Sequence, residues 1–426
     1  MKTLQYGDEG IFVRYLQTLL KMAYKDCGKT DGIFGRRTLR ALTAFQHEHG
    51  IQTNGTAGNI TWSVLYPYLC GCTIVMRYEN ETVEALADRY GISVSSLLAA
   101  NPDTPWSQCR SVKIPFSRNV VFDDTPYTSF LTTAVIEGLC MRYPFIERKT
   151  IGVSKAGEEI EMIVIGSGPL KLGVNAAHHA NEWITTPLTL MFAERFAEAI
   201  VQNGAVAGVE AKLLAQNATL YIIPLVNPDG VDLVNGAFEE EDSYYQSARA
   251  LAGFYPSIPF PSGWKANIGG IDLNLGYPVG WEKARAIKFA HGFNRPGPRD
   301  YVGTHPFEAP EVRTMMDITN KIKFDRTISY HTQGAEIYFD YQGESPNGAR
   351  QLADRFASVS GYSVSSAPHD SGFAGYKDWF IKTYQKCGFT IEAGRGVNPL
   401  PISMLPEIYR ENEGILVAAM MPDADT

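Results

Sequence analysis

The sequence has no run approaching the roughly 18 apolar residues that a bilayer-crossing helix needs, so a membrane span is not expected. It has no surplus of basic charge. Lys and Arg number 38 against 46 Asp and Glu, a net charge of -8, which disfavours condensation onto nucleic acid or an anionic bilayer. The opening residues, MKTLQYGDEGIFVRYL, lack the apolar stretch and small-residue cleavage site of a secretion signal, so the expectation is a cytoplasmic protein. Cysteine is scarce. Cys27, Cys70, Cys72, Cys109, Cys140 and Cys387 read as reduced thiols rather than a disulfide framework, and Cys70 and Cys72 bracket one residue, a poor zinc-knuckle spacing.

What is present is ordinary globular composition, 45% hydrophobic and 20% charged, at a length of 426 residues. A domain of roughly 100 to 200 residues is usual, so two to four are expected. The counts of Tyr (22), Phe (21) and Gly (39) suit loop-rich sites that handle polar polymers.

Residues 1–69 alternate helical stripes with glycine turns. Val13, Leu16, Leu19 and Leu20 share one helical face, the turn 30–35 follows, and Thr38, Leu42 and Phe45 resume the period. The string DGIFGRRTLRALTAFQ, followed by Gly55, Gly58 and TWSVL, resembles the peptidoglycan-binding-like three-helix domain. Residues 70–117 read as strand, helix, helix, strand over 73–77, 82–90, 94–100 and 112–115. This βααβ layout, with ETVEALADRYGISVSSLLAANP and VKIP, resembles a LysM domain, although Asn80-Glu81-Thr82 replaces the usual Gly-Asp-Thr turn. The resemblance implies binding of N-acetylglucosamine chains through the loops after the first strand and the second helix. Asn80, Asn101 and Pro102 are then candidate contacts, though such residues also serve simply as turn formers.

Residues 118–426 form the third unit. LKLGVNAAHHANEWITT looks like a strand running into a helix, with His179 at the junction and Glu182 opening the helix. Imidazole and carboxylate three residues apart can serve one metal ion, but His-x-x-Glu alone is common by chance. YIIPLVNPDGV, GGIDLNLGY, ISYHTQGAEIYF, YKDWF and FTIEAGRG follow in an order that resembles the zinc carboxypeptidases over residues 123–420. The DLNL and YKDWF segments resemble the γ-D-glutamyl-meso-diaminopimelate peptidases within that family. The resemblance implies one zinc ion per chain held by His179, Glu182 and His331. It implies Glu392 as the general base that takes a proton from the attacking water and passes it to the leaving amine. The bland alternative for Glu392 is a buried carboxylate paired with Arg395. His178 shares a helical spacing with Glu182, but the family register favours His179 and leaves His178 as an orienting neighbour.

The departures are informative. Where exopeptidases of this family place an Arg after DLN, to hold a terminal carboxylate, this chain has Leu275, and an alkyl chain cannot replace a bidentate clamp. Asn274 remains a candidate substrate donor. Lys265 stands where the family has the Arg that polarises the scissile carbonyl, with a snorkelling surface lysine as the competing explanation. Lys377 occupies the position at the base of the side-chain pocket, where a cation should select an anion such as the far carboxylate of diaminopimelate. No tyrosine takes the family's mobile position with assurance, Tyr376 being merely near it.

The resulting expectation is an α/β protein with a mixed eight-stranded sheet flanked by helices, preceded by a small helical domain and a βααβ domain. Its implied partners are peptidoglycan glycan chains and stem peptides, with spore or wall association. The competing readings are a carboxypeptidase acting on ordinary peptides and a catalytically silent wall-binding protein.

Overall fold

The computed structural model describes residues 2–422 apart from residue 107. The chain divides into two compact units, Met1–Thr125 with Thr133–Phe145, and Pro126–Thr132 with Ile146–Thr426. The helical and βααβ segments therefore fall in one unit, which also takes in residues beyond 117.

In the first unit, α1 (Ile11–Met22), α2 (Arg36–Glu48) and α3 (Asn59–Cys70) bury Val13, Leu16, Leu19, Leu20, Leu42, Phe45, Trp62 and Leu65. Two buried glutamines repeat one local device. Gln17 Nε2 donates to Asp31 Oδ1, Ile33 O and Thr38 Oγ1, while its Oε1 accepts from Gly32 N. Gln46 does the same with Asn54 Oδ1, Thr56 O, Thr61 Oγ1 and Gly55 N. Gly32 and Gly55 have φ of +79° and +70°, a conformation that favours glycine. Each amide thus ties a glycine turn to the start of the next helix and satisfies its own buried polar atoms.

Next come β1 (Cys72–Met76), α4 (Val83–Tyr90), α5 (Val94–Ala100) and β2 (Ser111–Pro115), with β1 and β2 antiparallel. Thr82 and Ser93 cap the two helices by accepting from Ala85 N and Ser96 N. Leu86, Ala87, Leu97, Val112 and Ile114 make a small core of their own.

The second unit is built on an eight-stranded mixed sheet, as expected from the sequence. Its strands are β3 (Glu147–Val153), β4 (Glu159–Ile165), β5 (Leu170–Ala176), β8 (Ala218–Ile223), β9 (Arg326–His331), β10 (Glu336–Tyr338), β11 (Ser363–Ser365) and β12 (Cys387–Glu392); β6 (Ala205–Val206) and β7 (Val209–Glu210) form a separate hairpin. The order is β11-β10-β12-β9-β5-β8-β4-β3. The central strands β12, β9, β5 and β8 run parallel, with β10 and β4 antiparallel beside them.

Every residue of β9 is buried, the pattern of a strand covered on both faces. On one face Val312, Met315, Phe324, Tyr376, Trp379 and Phe380 close over Met162 and Ile223. Helices Thr185–Gln202 and Leu405–Met420 pack against β5 and against each other. Gly173 in β5 is required by close packing, because a Cβ there would come within 2.9 Å of the Phe324 ring. Parallel neighbours bring their carboxyl ends to one edge of the sheet, and loops there form the usual binding crevice of an open α/β sheet.

Candidate active site

Three strand ends assemble the site. His179 follows β5 by three residues, His331 is the last residue of β9, and Glu392 is the last residue of β12, in register with His331. After β5 the chain turns at Ala177, whose N–H donates to Thr185 Oγ1. Glu182 lies in a 3-10 turn, Ala180–Glu182, just ahead of helix Thr185–Gln202 rather than inside it. That turn aims the Glu182 carboxylate back at the strand end.

His179, Glu182 and His331 are all buried and present donor atoms that lie within 4.8 Å of one another. His179 Nδ1 is 3.0 Å from Glu182 Oε1, and His331 Nδ1 is 2.9 Å from Glu182 Oε2. The two Nδ1 atoms are 3.1 Å apart. Two imidazole nitrogens and a carboxylate aimed at one point suit a zinc ion with an open fourth position, so the residues present fit that group. Burial works against a charge on His179, but the Glu182 and Asp272 carboxylates outweigh it and hold its pKa at about 9. Burial pushes His331 down.

His178 is set apart. Its Nε2 bonds the Tyr277 hydroxyl at 3.0 Å, and its ring lies among Tyr277, Tyr376 and His331. Asp272, which the sequence reading passed over, accepts from His179 Nε2 at 3.1 Å and fixes the ring so that Nδ1 faces the other donors. The only sequence trace of that role was its place in GGIDLN, ahead of a short turn whose Asn274 N it caps.

Glu392 faces the same cleft, of about 700 Å³. Burial, followed by the nearby Glu182 charge, pushes its carboxyl up to about 8. It is not paired with Arg395, which instead binds Glu411 at 3.1 Å. Lys265 is no surface lysine: its Nζ sits 3.0 Å from Glu182 Oε1, and its side chain is 17% exposed. Asn274 lines the cleft with its Oδ1 accepting from Tyr376 N, which leaves the amide Nδ2 to donate. Leu275 is buried against Trp281 and Phe373 and lines the cleft. Tyr376 is buried with its hydroxyl on Thr319, whereas Tyr338 on β10 lines the cleft and donates to Glu336 at 2.6 Å.

Lys377 is at the cleft but is not a bare cation. Its Nζ binds Asp378 Oδ1 at 2.6 Å and the Asp340 carbonyl, and it is 5% exposed. An ammonium has three donors, so one remains for a ligand, in competition with Asp378.

In the first unit, the expectation for Asn101 as a glycan contact is corrected. The side chain is buried and wholly engaged, donating to Leu97 O and Lys113 O and accepting from Lys113 N, so it braces the loop to β2. Asn80 and Pro102 are exposed, as a contact requires. Cys70 and Cys72 are buried thiols.

A mixed sheet that delivers His, Glu and His donors to one point beside a cleft carboxylate is the arrangement of a metallopeptidase. The sequence model of the zinc carboxypeptidase family matches residues 132–413, and that of the peptidoglycan binding domain matches residues 9–65. This chain belongs to the zinc carboxypeptidase family, whose members are zinc-dependent hydrolases. It is 39% identical over 287 residues, 67% of this chain and 70% of the relative, to gamma-D-glutamyl-L-diamino acid endopeptidase 1 of Lysinibacillus sphaericus. It is 35% identical over 280 residues, 65% of this chain and 73% of the relative, to the uncharacterized protein YqgT of Bacillus subtilis (strain 168). Bovine thrombin-activatable fibrinolysis inhibitor shares the fold with a TM-score of 0.54 at 19% identity, over 70% of this chain and 97% of that one. Carboxypeptidase A of Helicoverpa armigera does so with a TM-score of 0.51 at 16% identity, over 91% and 87%. Among the described residues no helix is long and apolar enough to cross a membrane.

Proposed function

We propose that the chain is a zinc peptidase that hydrolyses the γ-D-glutamyl–meso-diaminopimelate amide of peptidoglycan stem peptides. The observation that carries this reading is the buried Lys377 ammonium in the cleft, in a chain where Leu275 removes the usual clamp for a terminal carboxylate. The far end of diaminopimelate bears a carboxylate, which a desolvated ammonium can select. The activity in the name of the Lysinibacillus sphaericus relative agrees with it.

In this reading His179, Glu182 and His331 hold the zinc and Asp272 orients His179. Zinc supplies Lewis-acid polarisation of a carbonyl and makes water acidic enough to react near neutral pH. Glu392 accepts the proton of the attacking water and delivers it to the leaving nitrogen. Lys265 places positive charge beside the oxygen that becomes anionic. Asn274 Nδ2 donates to the substrate and Lys377 takes the far carboxylate of diaminopimelate.

The peptidoglycan-binding domain, together with a βααβ segment that we read as LysM, concentrates the peptidase on wall material. Weak linked sites add through effective concentration. The test is incubation of the zinc-loaded full chain with L-Ala-γ-D-Glu-meso-diaminopimelate and with simple acyl-amino acids, products being read by mass. Release of diaminopimelate is expected; hydrolysis of acyl-amino acids alone sinks the proposal.

A further inference from the structure

The cleft carries a second set of charges that the mechanism above leaves unused. Lys288 Nζ and Arg299 Nε both bind the Asp300 carboxylate, each at 2.6 Å, one on each oxygen. Two cations share this one carboxylate. Lys265 and Lys377, which also line the cleft, each meet a carboxylate of their own, Glu182 and Asp378.

Exposure separates anchor from reader. The Lys288 and Asp300 side chains are 12% exposed, whereas that of Arg299 is 43% exposed and lines the cleft. Arg299 spends its Nε on Asp300, and its terminal Nη1 and Nη2 make no hydrogen bond among the described residues. They are a planar pair of donors, the geometry that takes a carboxylate in bidentate fashion.

The backbone ties the Arg299 segment to that of Lys265. Asp300 N donates to Asp272 Oδ2 at 3.1 Å, and the Pro298 carbonyl accepts from Lys265 N and Ala266 N. Arg299 therefore stands with Lys265, the residue assigned to the scissile carbonyl. Lys377, assigned to the leaving diamino acid, is held by other segments through Asp340 and Asp378. With Lys265 at the scissile carbonyl, a group that Arg299 meets falls on the acyl side of the bond in that reading.

We propose that Arg299, braced by Lys288 and Asp300, binds the free α-carboxylate of the γ-linked D-glutamyl residue. The inference rests on the γ-glutamyl reading above. A residue joined through its side-chain carboxyl keeps its α-carboxylate, a short carbon chain from the scissile carbonyl; a residue joined through its α-carboxyl has no such anion on its main chain. Arg299 thus distinguishes the linkage, whereas Lys377 reads the side chain of the leaving residue.

The experiment compares L-Ala-γ-D-Glu-meso-diaminopimelate with its isosteric α-amide, using zinc-loaded full-length protein. The native protein should favour the acid by about 10- to 100-fold in kcat/KM, the scale for truncating a charged hydrogen-bonded partner that solvent still reaches. Arg299→Ala should remove that preference by slowing the acid while leaving the amide nearly unchanged. Arg299→Lys keeps the charge without the fork and should recover only part of it. Calorimetric binding of the acid to Glu392→Gln, and to Glu392→Gln with Arg299→Ala, gives a readout independent of turnover and should show the same loss. Equal loss on acid and amide, or unchanged binding of the acid, overturns the Arg299 assignment alone. Cleavage of neither γ-linked peptide by the native protein overturns the γ-glutamyl reading and takes this inference with it.

Discussion

The Nδ1 atoms of His179 and His331 lie 3.1 Å apart although 152 residues separate them in the chain. Two imidazole acceptors at that distance repel unless a proton or a cation lies between them. The arrangement predicts that His179→Ala and His331→Ala each fall from about one zinc per chain to near none, since three protein donors are the usual catalytic set. His178→Ala should retain the metal, because its Nε2 is spent on Tyr277. Elemental analysis decides, and loss of zinc in His178→Ala with retention in His179→Ala would shift the donor assignment by one residue.

Glu392 sits beside the donors without joining them. Glu392→Gln should keep its zinc and lose turnover by at least about 10²-fold, the lower end of what a general base contributes. Steady-state kinetics with metal content measured on the same sample test this, and a loss below about tenfold removes Glu392 from the mechanism.

The Lys377–Asp378 pair shapes the next expectation. Lys377→Ala should lower kcat/KM on diaminopimelate peptides by roughly 2 to 5 kcal/mol, because it leaves both the substrate carboxylate and Asp378 without their cation. Peptides with lysine in place of diaminopimelate should be poor substrates of the native protein and barely respond to the change. Equal cleavage of both peptide types, with equal sensitivity to Lys377→Ala, would refute the pocket assignment.

In the βααβ segment the three candidate residues should behave differently. Asn101→Ala removes three hydrogen bonds from a buried site, and leaving their partners unmet should cost about 1 to 3 kcal/mol in the stability of that unit. Asn80→Ala and Pro102→Ala should leave the melting curve in place and weaken pelleting with isolated sacculi. Unchanged pelleting in both variants would argue against those loops as glycan contacts.

One pH dependence is built into the core of the second unit. Glu311 is fully buried, accepting from Lys155 N and Asn267 Nδ2, and burial pushes its carboxyl up to about 7. Its folded value lies above the unfolded value of about 4.3. Between these limits the folded form binds more protons, so this group's contribution to stability is present at low pH and is lost as pH rises toward and through 7. Thermal melts of Glu311→Gln against the native protein from pH 5 to 8 should show a shallower decline in the variant; parallel curves would refute it.

Much of the site was legible in the sequence because its chemistry is carried by residue types at strand ends. His179, His331 and Glu392 each follow an apolar strand pattern, but the eight-stranded sheet and the donor set were expected only through the resemblance of the ordered segments to the zinc carboxypeptidases. The two helical glycine turns and the βααβ order were legible for a related reason: glycine, capping Thr and Ser, and apolar period act over a few residues. What the tertiary structure alone decided are the pairings between segments far apart in the chain. Asp272 reaches His179 across 93 residues, Lys265 finds Glu182, and Lys377 meets the Asp340 carbonyl. Asn101 turns inward to Lys113 instead of outward to a ligand. Arg299 keeps its terminal donors because Asp300 occupies only Nε. A residue's type limits what it can do, but its charge state and spare hydrogen-bonding capacity depend on which distant groups the fold sets against it, and local pattern carries no record of those.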